Sequence, residues 1–174
     1  MNQSYSCIPK REARKAKVLC FVLFVLAVAS FVAANYLPVA KGVGQLFAAL
    51  LLLLFIQITT KFLLTEYCYK LENDTLFISA KQGRRIKNQG GVPIHSRCIL
   101  LTEGEWKKTK KQYSIESRFS YLQNLSSPRT HYLLCPGRQG YVCLSFEPDD
   151  TLLALLKERI SLTSEAQTQN SENL

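Results

Sequence analysis

The sequence is poor in the side chains that carry most enzyme chemistry. Its two histidines, His95 and His131, stand far apart and near no cysteine pair. A zinc site needs clustered Cys and His ligands, and the six cysteines, Cys7, Cys20, Cys68, Cys98, Cys135 and Cys143, show no C-x-x-C spacing. A free cysteine in apolar or strand-like sequence behaves as a small hydrophobe, so these are read as filler, reduced if the compartment is cytoplasmic. The sequence also lacks G-x-S-x-G, a phosphate-binding G-x-x-x-x-G-K-[ST] loop and H-E-x-x-H. Glu103 and Glu105 flank Gly104, and Asp149 with Asp150 opens a helix; neither pair forms an acid–base couple. No enzymatic activity and no cofactor are expected.

Charge is missing from two long stretches, and that absence organises the chain. Val18 to Val39 holds no charged residue, and about 20 apolar residues suffice for a helix to cross the hydrocarbon core. Tyr36 and Pro38 mark its far end, and Ala40, Lys41, Gly42 and Gly44 read as a tight connection. A second apolar run spans about Val43 to Leu64, centred on LFAALLLLLFI (46–56). So short a link makes the two spans an antiparallel hairpin. Small residues four apart (Ala29/Ala33, Ser30/Ala34, Gly44/Ala48) offer close approach of the backbones.

Orientation follows from cations. Lys10, Arg11, Arg14, Lys15 and Lys17 precede the first span, and Lys41 alone charges the loop. Basic flanks stay inside, which places both termini in the cytoplasm of a multi-pass plasma-membrane protein. A competing reading takes the basic start, the apolar run and Ala27-Val28-Ala29 as a cleavable secretory signal. Even then the second span delivers the C-terminal part to the cytoplasm.

Net charge is +9, from 22 basic and 13 acidic side chains. No stacking platform or groove-reading motif accompanies it, so nucleic acid is not an expected partner. A bilayer is, because basic flanks set topology and attract anionic lipid.

From residue 65 to about 160 the pattern is that of strands closed by a helix. Thr65–Leu71 and Thr75–Ala80 flank an Asn73-Asp74 turn. Gln82-Gly83 turns again, and Val92–Ile94, Cys98–Thr102, Tyr113–Phe119, His131–Cys135 and Tyr141–Phe146 are further strand candidates. Gly104–Lys111 reads as a charged turn. Beyond Pro148-Asp149-Asp150 the period changes: Leu152, Leu153, Leu155, Leu156 and Ile160 form an apolar helical stripe, with acidic residues favouring its first turn. The tail 161–174 is polar and expected to be disordered. The chain thus divides into a basic N-terminus (1–17), a transmembrane hairpin (18–64), a soluble domain (65–160) and that tail.

Two spans followed by T-E-Y-x-Y-x-L-E-N-D-T-L-x-I, G-R-R, V-P-I-x-x-R and Y-V-C-L-S-F-E-P-D-D-T-L-L-A-L-L resemble the bacterial pleckstrin-homology-like (PH-like) family of small membrane proteins. The resemblance covers about 65 to 160. It implies an α+β chain whose soluble part is a seven-strand PH-like partial barrel capped by a C-terminal helix, without catalysis.

Basic residues cluster at two expected turns: Lys81, Arg84, Arg85 and Lys87, then Lys107, Lys108, Lys110 and Lys111 beside Trp106, the one tryptophan. All are candidate lipid contacts, the cations for anionic headgroups and Trp106 for the interface. The leading expectation is a non-enzymatic scaffold or partner-binding subunit of a membrane complex, with a protein partner the sequence does not identify. An anionic-lipid surface sensor is the alternative, and an enzyme or transporter subunit a third. A transporter alone is disfavoured, since neither span carries a central charge.

Overall fold

The computed structural model describes residues 4–36, 41–95 and 97–172, without the side chains of Lys41 and 162–172. It separates into two compact units: Arg11–Thr65, and Met1–Lys10 joined with Glu66–Leu174.

The first unit is a helix pair, α1 (Ala13–Tyr36) and α2 (Lys41–Ile58), with α2 continuing as a π-helical segment, Thr59–Leu64. By length and composition both helices are apolar enough to cross a membrane. Their large side chains, Phe21, Val25, Leu46 and Leu53 among them, point outward, while Ala16, Cys20, Ala27, Ala34 and Ala48 are buried. Cys20, Ala27 and Ala34 recur every seven residues, the repeat that keeps one face of a helix on its neighbour. A Cβ on Gly44 would stand 2.6 Å from that of Ala34, so the backbones meet there. Of the expected small-residue pairs, Ser30/Ala34 and Gly44/Ala48 lie on this seam, whereas Ala29 and Ala33 are exposed. Gly42 and Gly44, expected in the connection, fall inside α2; Pro38 and Ala40 lie outside the described residues.

The π-helical end is fastened by side chains. The Arg11 guanidinium donates to the carbonyls of Leu63 and Thr65 at 3.0 and 2.9 Å, supplying donors to carbonyls that a helix end leaves without intrahelical partners. Thr65 Oγ1 donates to the Thr60 carbonyl at 2.8 Å, and Cys20 Sγ lies 3.3 Å from Thr59 Oγ1.

The second unit contains two four-stranded sheets. Strands β1 (Ser4–Cys7), β2 (Thr65–Glu72), β3 (Thr75–Gln82) and β4 (Arg85–Pro93) lie in that order. The other sheet is ordered β5 (Ile99–Thr102), β7 (His131–Pro136), β8 (Tyr141–Phe146), β6 (Ile115–Ser120), with β6 parallel to β8. Neither sheet closes on itself, and eight strands rather than seven are described.

Turn chemistry fixes the first sheet. Asn73, at φ 52°, turns β2 into β3, and Gly83, at φ 58°, turns β3 into β4; Asn and Gly occupy this left-handed region most readily. Alternation supplies the core. Tyr67, Tyr69 and Leu71 of β2 and Leu76, Ile78 and Ala80 of β3 face Leu133, Cys135, Leu144 and Phe146 of the second sheet. Leu152 and Leu156 of α4 (Asp150–Glu172) are fully buried in the same core. Asp149 opens α4: its carboxylate accepts from the Leu152 amide at 2.8 Å and from the Tyr5 hydroxyl at 2.6 Å. That second bond raises the Tyr5 pKa.

Three elements depart from the expected pattern. The supposed turn at Gly104–Lys111 contains a helix, α3 (Glu103–Thr109). Thr102 and Glu105 cap it reciprocally: the Glu105 amide donates to Thr102 Oγ1, and the Thr102 amide donates to the Glu105 carboxylate at 2.8 Å. This is the capping box that T-E-G-E spells. Strand β1 adds a fourth strand from before the hairpin, pairing Tyr5 with Leu71 and Cys7 with Tyr69. The helix α4 runs to Glu172 instead of giving way to a structureless tail at 161; the sequence there holds no Pro or Gly to stop it.

The loop from Tyr121 to Thr130, the least patterned stretch of the domain, is ordered by buried polar groups. Gln123 accepts from the Tyr67 amide at 3.0 Å. The Asn124 amide and Nδ2 donate to the buried Glu147 carboxylate at 3.1 and 2.6 Å. Tyr69 donates its hydroxyl to the Tyr121 carbonyl at 2.6 Å, and desolvation drives its pKa far up.

Candidate functional site

Where β4 ends the first sheet, a groove of about 320 Å³ opens beside it. Gly90, Gly91 and Val92 of β4 form one wall. Phe119 and Tyr121 form the other, their rings parallel within 7° and 6.4 Å apart. The floor is Leu144 and Cys135, from the inner face of the second sheet. Ile78 and Ser79 bracket a register shift against β4; such bulges bend an edge strand and mark sheet rims. The walls are apolar, with His95 at the rim.

The expected basic clusters fall on different elements. Lys81 is in β3, Arg84 in the turn, and Arg85 and Lys87 in β4; every residue from 81 to 90 is exposed. Opposed pairs Lys81/Ile86 and Ala80/Lys87 set these cations along the β3–β4 hairpin, with Ile86 70% exposed between them. The second cluster belongs to α3 and its C-terminus. Lys107 pairs with Glu103 at 2.6 Å, one turn back, and its pKa rises through that bond. Lys108, Lys110 and Lys111 are exposed.

Trp106 is not a surface anchor. Only 6% of it is exposed. It stacks on Tyr132 at 5.1 Å between centroids, beneath the Arg118 guanidinium at 5.3 Å. With Leu134 and Cys143 it forms a second small core under α3, on the outer face of the second sheet. The helical spacing missed at 103–109 is what hid this: in a turn Trp106 projects outward, in a capped helix it folds onto the sheet.

Among the described residues, no three His, Cys, Asp or Glu side chains converge as metal ligands. The sequence did not assemble the groove, because Gly90-Gly91, Phe119 and Cys135 come from three distant stretches. A signal for its rim existed in Gly90-Gly91, since paired glycines in a strand mark a bulge or a close approach. No known protein family, curated protein or solved structure matches the chain.

Proposed function

We propose that this chain is a plasma-membrane protein whose hairpin anchors a non-enzymatic, PH-like binding module on the cytoplasmic side. One observation carries the anchoring: β1 precedes the hairpin, β2 follows it, and the two are paired neighbours in one sheet. Strands on opposite sides of a bilayer cannot share hydrogen bonds. The pairing therefore favours two retained spans over a cleaved signal, which would remove β1. The basic residues before Val18 give the side.

The ligand we infer is an extended segment of a protein partner, laid along β4. An edge strand exposes unpaired backbone groups that accept an added strand. The apolar groove takes the side chains facing it, and Lys81, Arg84, Arg85 and Lys87 favour acidic residues in the segment. The test is site-specific photocrosslinking of the full chain in its native membrane. A photoreactive side chain at Phe119 is expected to give a protein adduct that the same group at exposed Gln112 does not give. Replacing the four hairpin cations by glutamine is expected to diminish it. Equal adducts at both positions would reject the groove.

A second reading has its own support in the exposed Ile86 among cations, the composition of a tip that enters an anionic interface. An environment-sensitive dye at Ile86→Cys in nanodiscs would shift blue with anionic lipid and revert in 1 M salt, where the Debye length falls to about 3 Å. No shift would leave the hairpin to the protein partner.

A further inference from the structure

The cations at the start of the helix pair have different roles. The Arg11 guanidinium holds the Leu63 and Thr65 carbonyls. Arg14 and Lys15, about one turn further on, are exposed, and among the described residues neither meets a carboxylate. They stand at the rim of a hollow of about 520 Å³ on α1, lined otherwise by Val18, Leu19 and Val22.

Helical spacing sets these five side chains on one strip. Arg14, Val18 and Val22 follow one another at four-residue steps, as do Lys15 and Leu19, and residues four apart lie one above the other on a helix. Ala16 and Cys20 project to the other side, where both are buried and Cys20 Sγ meets Thr59. The strip therefore turns away from the seam between the helices, leaving Val18 58% and Val22 44% exposed. Along it the lining passes from cationic to apolar within about one turn, 5.4 Å. In the two-span anchor this turn meets the cytoplasmic boundary of the hydrocarbon, because Val18 begins the uncharged run.

We propose that the hollow binds one anionic phospholipid of the cytoplasmic leaflet, its phosphate between Arg14 and Lys15 and an acyl chain along Val18, Leu19 and Val22. This inference rests on the two-span reading and is independent of the groove beside β4. The Arg14 guanidinium presents a planar fork of donors to two phosphate oxygens, and the Lys15 ammonium adds a compact charge. An acyl chain gains little by exchanging one apolar surface for another within the bilayer. The cations therefore set the preference for a net negative headgroup, and the apolar strip makes the ligand a lipid rather than a free anion. A cation close to an anionic surface contributes about fivefold in affinity, so the two together contribute about 25-fold.

The test titrates the full chain, held in a non-ionic detergent, with dioleoyl phosphatidylglycerol and counts bound lipids by native mass spectrometry. The first phosphatidylglycerol is expected to bind about 25-fold more tightly than the first dioleoyl phosphatidylcholine. The double variant R14Q/K15Q is expected to bring the two lipids level. The variant K10Q/K17Q removes the same charge from neighbouring exposed positions outside the hollow and is expected to leave the preference unchanged. All four substitutions are at exposed positions, where the fold is tolerant. Equal weakening by both double variants would reduce the effect to diffuse surface charge and overturn the site. Equal binding of the two lipids by the unaltered chain, or displacement of phosphatidylglycerol by glycerol 3-phosphate alone, would overturn it as well. A chain that stays monodisperse in buffer without detergent would instead overturn the two-span reading, before any lipid is added.

Discussion

At the scale of single residues, the structure reassigns side chains whose chemistry alone reads differently. Trp106 has the composition of an interfacial anchor, yet it lies between Tyr132 and Arg118. Being the one tryptophan, it reports its own surroundings: its emission is expected to be blue-shifted and poorly quenched by acrylamide in the folded protein. Exposed, water-like emission would place it outside the second core. Replacing it by alanine removes a buried aromatic, a change that costs about 3–5 kcal/mol, seen as a lowered melting temperature. Gly44 is the counterpart in the hairpin. With Ala34 Cβ 2.6 Å from where its own Cβ would stand, Gly44→Leu is expected to separate the helices. A disulfide engineered between facing positions of α1 and α2 would then form more slowly than in the parent; an unchanged rate would mean that the seam lies elsewhere. Asn124 shows the same lesson: a polar side chain in a loop, its Nδ2 is committed to Glu147 and to the Lys10 carbonyl.

At the scale of elements, legibility tracked whether the stabilising partner was local. The hairpin spans, β2, β3, β7, β8 and the start of α4 were readable, because each is set by its own periodicity and by a turn or cap within a few residues. Strand β1 was not, since Ser4–Cys7 is a strand only because Leu71 and Tyr69 are there to pair with it. The 121–130 loop was not, because Gln123 and Asn124 are ordered by Tyr67 and Glu147 far along the chain. The missed α3 is different: its Thr102-x-x-Glu105 signal was local and present. Hydrogen bonds from the Thr102 amide and hydroxyl lower the Glu105 pKa. A carboxylate whose folded pKa is depressed stabilises the fold above the unfolded value, and that contribution fades as pH falls through the folded one. Melting temperatures of the parent and of Glu105→Gln are therefore expected to differ at neutral pH and to converge in acid; a constant gap would detach Glu105 from the cap. At α4 the apolar stripe was legible and its burial follows from it. Leu156→Ala is expected to cost about 2–5 kcal/mol in thermal or denaturant unfolding, whereas the exposed Ala154 offers a position where substitution changes little.

At the scale of the whole molecule, the order of elements along the chain constrains topology more tightly than the charge pattern does. The hairpin is an insertion between two neighbouring strands, so the two-sheet unit is incomplete when the chain is cut at residue 65. Such a fragment lacks β1, and with it the Tyr5 bond to Asp149 at the start of α4. Binding experiments accordingly belong on the full chain. The natural cysteines are poor reporters of sidedness for a related reason: Cys98, Cys135 and Cys143 are buried and would escape an impermeant reagent on either side of a membrane. Exposed positions serve instead. Cysteine placed at Ser4, before the hairpin, and at Gln112, after it, is expected to resist an impermeant maleimide in intact cells and to react at both positions once the membrane is permeabilised. Labelling of both in intact cells would invert the proposed orientation and move the groove to the outer face. Labelling of one alone would mean that β1 and β2 lie on opposite sides, which their hydrogen-bonded register forbids, and the two-span anchor would fall with it.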